Sequence, residues 1–96
     1  MITVTSLLWI WKGEAAGRWY FITVPEEQSD DVRAHAFGSP RGFGSVKVEA
    51  AIGASRWSTS VFPQKGGTWF LPVKKAICRA EGLVAEDEVA VRLELQ

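Results

Sequence analysis

The hydrophobic pattern is clearest in the last third of the chain, at residues 67–95. An aromatic and apolar run at 68–71 predicts a strand, and Pro72, with its fixed φ and missing N–H, predicts the first position of a helix. Apolar residues then recur at helical spacing up to Gly82, a suitable left-handed C-cap; they are Val73, Ala76, Ile77 and Ala80. The alternation over residues 89–95 predicts a strand with one buried face.

The first half of the chain has the same order of elements. Residues 18–24 predict an aromatic strand that ends at Pro25, and residues 26–37 predict a helix that opens with acidic side chains. Alternation at residues 46–52 predicts the strand that follows, and residues 56–62 predict the first strand of the second half. Neither unit alone can form a closed hydrophobic core. The two matching units therefore indicate an internal repeat with pseudo-two-fold symmetry.

These elements predict a mainly β protein with two short helices. Six strands in an open sheet leave two free edges, and closure into a six-stranded barrel with a helix capping each end removes both edges. We expect eight side chains to point into this barrel: Val46, Val48, Ala50, Ile52, Val89, Val91, Leu93 and Leu95. The alternative is an open antiparallel sheet with both helices on one face. The length of 96 residues, 47% of them hydrophobic, suits a single domain over residues 1–96.

Residues 1–11 are apolar enough to resemble the core of a signal peptide. No Lys or Arg precedes this run, and it is too short to span a membrane, so we interpret it as a strand and expect a cytoplasmic protein. One face carries Val4, Ser6, Leu8 and Ile10, and the other carries Thr5, Leu7, Trp9 and Trp11. Because the second half of this strand is apolar on both faces, we expect the barrel interior to cover one face and a helix or partner subunit to cover the other.

Charge and cysteine content narrow the possible functions. Eleven basic and eleven acidic residues give a net charge of zero, whereas a domain that binds nucleic-acid phosphate usually has a basic excess. Nucleic acid is therefore a disfavoured partner. Cys78 is the one cysteine, so it cannot form an internal disulfide, and we interpret it as a half-buried structural thiol on the second helix.

Four segments together resemble the DUF1905 family of small bacterial and archaeal proteins. They are GFGSV at 42–46, WSTSVFP at 57–63, LPVKK at 71–75 and DEVAV at 87–91. The resemblance implies a double-split β-barrel with helical caps, similar in architecture to the AbrB-like regulators. It implies no activity, because none is established for the family. Some members carry a second, helical YdeI/OmpD-associated domain, which we do not expect in this chain.

Two residues depart from the family pattern. Phe43 stands where the family often has Trp, and Glu86 precedes Asp87 where a Gly-Asp turn is usual. Glycine adopts a positive φ without strain. With Glu86 in that place, the sequence does not decide whether the turn has a positive φ.

The chain shows no motif for catalysis or metal binding. Four carboxylates occupy the first two turns of the first helix without a histidine, a pattern typical of a solvated face; they are Glu26, Glu27, Asp30 and Asp31. The serine and threonine residues at 58–60 have no base nearby in the sequence, and residues 65–67 are more typical of a hairpin turn than of a phosphate loop. We expect a non-enzymatic protein without a cofactor or a metal.

Tryptophan is the most informative residue type. The chain has five, more indole than a small barrel interior easily holds: Trp9, Trp11, Trp19, Trp57 and Trp69. Some of them must reach the surface, which favours either a partner subunit or an apolar ligand groove, with core packing as the alternative. We therefore expect a binding or interaction module that self-associates, or meets a protein partner, through the Trp9/Trp11 face.

Two alternative functions stay open. The first alternative, an AbrB-like DNA-binding regulator, is supported by fold analogy alone. A small anion-binding protein is favoured by Lys74 and Lys75, which fall in the first turn of the second helix, where the macrodipole disfavours cations. If the two helices cap opposite ends of the barrel, the lysines of the second helix form a basic pole, and the carboxylates of the first helix form an acidic pole at the other end. The candidate ligand-binding set is Arg41, Lys65, Trp57, Trp69, Lys74 and Lys75. The alternative is that both helix lysines simply extend into water.

Overall fold

The chain forms a β-barrel closed at each end by a helix. The computed structural model describes residues 2–13, 17–37, 45–64 and 66–96. Its elements are β1 (Ile2–Gly13), β2 (Gly17–Val24), α1 (Glu26–Phe37), β3 (Val46–Ile52), β4 (Ser55–Pro63), β5 (Trp69–Val73), α2 (Lys75–Glu81) and β6 (Glu88–Leu95). The strands close in the order β1-β2-β5-β4-β3-β6, with every neighbouring pair antiparallel. The predicted six-stranded barrel is confirmed, and the open-sheet alternative is wrong.

The connectivity has the symmetry predicted from the repeat. Exchanging β1, β2 and β3 with β4, β5 and β6 reproduces the same set of neighbours around the barrel. α1 follows β2, and α2 follows β5. Because β2 and β5 are antiparallel neighbours, their carboxyl ends lie at opposite ends of the barrel, and the two helices therefore cap opposite ends.

The barrel interior contains the predicted core. Seven of the eight expected side chains are buried, and Leu95 is partly buried and packs against the others. The remaining strands add Val4 and Leu8 from β1, Ile22 and Val24 from β2, and Leu71 from β5. The alternation of apolar and polar residues places these side chains on one face of each strand, and burying that face is what favours closure.

Side-chain hydrogen bonds attach each helix to its end of the barrel. At the α1 end, Ser29 Oγ donates to Val24 O at 2.9 Å and His35 Nε2 donates to Gln96 O at 2.7 Å. At the α2 end, Ser55 Oγ donates to Glu81 Oε2 at 2.6 Å. No helix in the described residues is both long enough and apolar enough to cross a membrane.

The structure corrects the predicted start of α2. Pro72 is not the first helical residue but lies within β5 opposite Phe21, and Lys74 is the N-cap. Proline fits a strand where the ladder does not require its N–H. The shift changes which helix face is buried: Ala76 and Ala80 are exposed, and Cys78 is the buried residue of α2. Cys78 is only 5% exposed, so it is more buried than predicted.

The chain just after α2 contains two residues with positive φ. Gly82 is a left-handed C-cap with φ of 64°, as predicted. Glu86 also takes a positive φ, of 71°, although it is not glycine. Its N–H donates to Leu8 O at 2.7 Å, which fixes the turn against β1. The carboxylate of Asp87 accepts from Val84 N–H at 2.9 Å.

Candidate functional site

One side of the outer barrel wall is aromatic. On β1 and β2, the outward positions alternate with the buried Leu8 and Ile22. We define the aromatic face as the six outward rings on β1, β2, β5 and β4: Trp9, Trp11, Trp19, Phe21, Phe70 and Phe62. The opposite side, on β3 and β6, instead carries exposed charged residues such as Lys47, Arg92 and Glu94. The outer wall is therefore strongly asymmetric.

Ring contacts connect four of the six rings of the aromatic face. Trp9 stacks on Phe21 with centroids 4.7 Å apart, Phe21 meets Phe70 edge-on at 5.3 Å, and Phe70 stacks on Phe62 at 5.5 Å. Trp9 Nε1 donates to Thr23 Oγ1 at 3.0 Å, which orients the indole. Such pairs add stability beyond the area they bury. Trp9, Phe21, Phe70 and Phe62 therefore form a continuous layer across four strands.

The exposed end of the aromatic face lies on a hairpin that extends past the barrel. Trp11 is paired with Trp19, and they are 54% and 49% exposed. β1 pairs with β6 only as far as Leu7, and β2 pairs with β5 only from Tyr20 onward. Within the described residues, 11–13 and 17–19 therefore pair with each other alone, and we call them the hairpin arm. An isolated two-stranded hairpin is marginally stable in water, and its edges are open to pairing.

No helix covers the outer face of β1 in the described part of the chain. Leu7 and Trp11 are each 54% exposed, so the predicted helical cover is wrong. The other predicted cover, a partner subunit, stays a prediction. The arm projects beyond the α2 end of the barrel, since Tyr20 is opposite Val73, the last residue of β5.

The candidate tryptophans on β4 and β5 have a different environment. Trp57 and Trp69 are each only 6% exposed and belong to the barrel core. Trp57 Nε1 has no hydrogen-bond partner among the described residues. The structure therefore separates these two residues from the surface aromatic rings.

Two of the candidate cations, Lys74 and Lys75, lie at the α2 end. Lys74 is the N-cap residue without a side-chain capping bond, Lys75 is the first residue of α2, and both are exposed. Arg41 and Lys65 lie outside the described residues, so their assignment stays a prediction. The acidic residues of α1 are at the other end of the barrel, which gives the two charged poles expected from the sequence.

A cleft between the base of the hairpin arm and α2 was not predicted. It has a volume of about 390 Å³, and its walls are Tyr20, Lys75, Cys78, Arg79, Gly82, Leu83 and Val84. Burial raises the pKa of the Cys78 thiol, so the thiol stays neutral at physiological pH. The helical spacing of Lys75 and Arg79 places them on one face, which the sequence shows, but only the fold brings Tyr20 beside them.

A second groove, of about 360 Å³, lies on the polar side of the wall. Its charged residues are Glu49 and Arg56 from β3 and β4, and Arg92 and Glu94 from β6. Arg92 Nη2 donates to Gly53 O at 3.0 Å, and Ser58 Oγ donates to a Glu49 carboxylate oxygen at 2.9 Å. Among the described residues, no three or more His, Cys, Asp or Glu side chains come together as metal ligands would.

The architecture defines a class of small proteins, namely six-stranded antiparallel barrels with pseudo-two-fold connectivity and a helical cap at each end. Within that class, the sequence profile described as "Domain of unknown function (DUF1905)" matches residues 5–93. The chain therefore belongs to the DUF1905 family, as the four sequence segments predicted. No curated protein matches the sequence.

Proposed function

We propose that this protein is a non-enzymatic interaction module that self-associates through the aromatic face, with the hairpin arm at the centre of the contact. The observation that carries the proposal is the half-exposed pair of Trp11 and Trp19 on a hairpin without other strand partners in the described residues. Tryptophan is strongly enriched at the centres of protein interfaces, where it contributes large and rigid contact area.

The exposed area supports a second copy of the chain as the occupant. Each half-exposed indole leaves roughly 120 Å² to solvent, so the four rings of a symmetric dimer bury roughly 500 Å². At about 25 cal/mol per Å², this burial contributes about 12 kcal/mol. Association costs about 4–15 kcal/mol, and further contacts from Leu7 and Trp9 offset part of that cost. At the low end of this cost, about 4 kcal/mol, the balance is about −8 kcal/mol, so we expect a Kd of about micromolar magnitude.

Charge and strand edges support the same occupant. The net charge of zero means that two copies do not repel each other as a whole. The edges of the hairpin arm, which have no strand partner among the described residues, offer backbone donors and acceptors, and an identical arm related by a two-fold axis offers the same groups in return. A symmetric contact thus covers both the exposed rings and the open edges.

Sedimentation equilibrium of surface variants tests the proposal. We expect Trp11→Ser and Trp19→Ser each to weaken dimerisation by at least about tenfold, because each dimer loses two half-buried indoles. Lys47→Ser is the control, since Lys47 is exposed on β3, on the opposite side of the outer wall, and it should leave the Kd unchanged. A wild type that stays monomeric at about 1 mM, or Trp variants that dimerise as tightly as wild type, would contradict the proposal.

A further inference from the structure

The cleft beside α2 combines positive charge with apolar walls. Lys75 and Arg79 supply the two cationic groups, and Tyr20 supplies a phenol hydroxyl. Leu83 and Val84 supply apolar surface, and no carboxylate among the described residues lines the cleft. Clefts of this volume with a few polar groups among apolar walls are typical of small-molecule sites.

The two cations lack acidic partners in the described structure. Lys75 and Arg79 are separated by one helical turn, where like charges repel. The one ion pair among the described residues is Arg33 with Asp30, at 2.9 Å, and it lies on α1. Two nearby acids are engaged elsewhere, since Glu81 accepts from Ser55 and Asp87 accepts from the Val84 N–H. The repulsion between Lys75 and Arg79 is therefore not relieved by the described protein groups.

We propose that this cleft binds a small organic anion, in which a phosphate or carboxylate group is attached to an apolar body. The anionic group contacts the Lys75 ammonium and the Arg79 guanidinium, and the phenol of Tyr20 donates a further hydrogen bond to it. The apolar body packs on Leu83 and Val84. Recognition depends on side chains, because the backbone N–H groups of Gly82, Leu83 and Val84 already donate to Arg79 O, Cys78 O and Asp87 Oδ2.

The site differs from the basic helix end predicted from the sequence. Lys74 is adjacent in the chain and equally charged, but it does not line the cleft. Lys74→Gln is therefore a matched control for Lys75→Gln, because both remove one exposed positive charge at the same end of the barrel. The inference uses none of the aromatic-face residues, so it stands or fails independently of self-association.

Titration with phenyl phosphate, followed by amide chemical shifts, tests the proposal. We expect saturable shifts at Tyr20, Gly82, Leu83 and Val84, with weaker binding of inorganic phosphate and of phenol, because each comparator lacks one half of the ligand. Lys75→Gln and Arg79→Gln should each weaken phenyl phosphate binding by about tenfold, as expected when one charge-assisted contact is lost. Lys74→Gln should leave the affinity within about twofold of wild type.

Three results would overturn the proposal. The first is an absence of saturable binding by the wild type. The second is equal weakening by Lys74→Gln and Lys75→Gln, which would indicate only a diffuse positive potential at this end of the barrel. The third is equal affinity for inorganic phosphate and phenyl phosphate, which would remove the apolar body from the ligand class. The spectra of each variant without ligand show whether the fold is retained.

Discussion

Glu86 holds a backbone conformation that glycine would adopt without strain, so Glu86→Gly should stabilise the protein. Its φ is 71°, and its side chain is exposed. The left-handed region costs a residue with a Cβ about 1–2 kcal/mol, and glycine avoids that cost. Glycine also gives the unfolded chain more freedom, which removes about 0.5–1 kcal/mol of the gain. We expect a net gain of about 0.5–1 kcal/mol in the free energy of unfolding.

Urea and thermal unfolding measure this difference. A gain of this size raises Tm by about 4 °C in a domain of this length. Glu86→Ala is the first control, because it removes the carboxylate but keeps the Cβ, and it should give no comparable gain. Gly82→Ala is the converse control: φ is 64° and an added Cβ meets no atom within 4 Å, so its expected loss of about 1 kcal/mol comes from conformation alone.

The comparison between Glu86→Gly and Glu86→Ala shows whether the positive φ at residue 86 is a source of strain. If Glu86→Gly is no more stable than Glu86→Ala, the positive φ at Glu86 is not a source of strain, and the reasoning fails. The hydrogen bond from Glu86 N–H to Leu8 O is kept in both variants, because it uses only the backbone.

Three further predictions concern the core, the thiol and nucleic acid. Val91→Ala should lower the free energy of unfolding by about 1–3 kcal/mol, because Val91 is fully buried in the barrel and the change leaves a cavity; a smaller loss in urea unfolding would contradict that packing. The raised pKa of Cys78 keeps its thiol neutral while the unfolded chain ionises. Stability should therefore fall as the pH rises through about 8.5, and Cys78→Ala should lack this contribution. Duplex DNA should bind only weakly, given the zero net charge, and salt-sensitive sub-micromolar affinity in an anisotropy titration would refute this.

The barrel could be predicted because its sequence signal is local and repeated. The alternation over residues 46–52 and 89–95 identifies the inward face of each strand without knowledge of its neighbours. The start of α2 could not be predicted in the same way. Pro72 fits both the end of a strand and the first turn of a helix, and only its pairing with Phe21 assigns it to β5.

The candidate site depended on information that the sequence does not contain. The sequence places all five tryptophans on strands, and the structure confirms this. However, Trp69 and Phe70 are consecutive aromatic residues that point to opposite faces of their strand, so the sequence does not show which ring is exposed. The barrel register places Trp69 inside and Phe70 outside. The cleft was missed because Tyr20 and Arg79 belong to different halves of the repeat and meet only after closure.

The most direct test of self-association is an isotope-filtered NOE experiment on a mixture of labelled and unlabelled protein. Such a spectrum detects only contacts between two copies of the chain. The proposal predicts intermolecular cross-peaks from the indole protons of Trp11 and Trp19 to the hairpin arm of the other copy. Cross-peaks confined to the charged side of the barrel, around Lys47 and Arg92, would contradict the proposal, as would a spectrum without intermolecular cross-peaks at millimolar concentration.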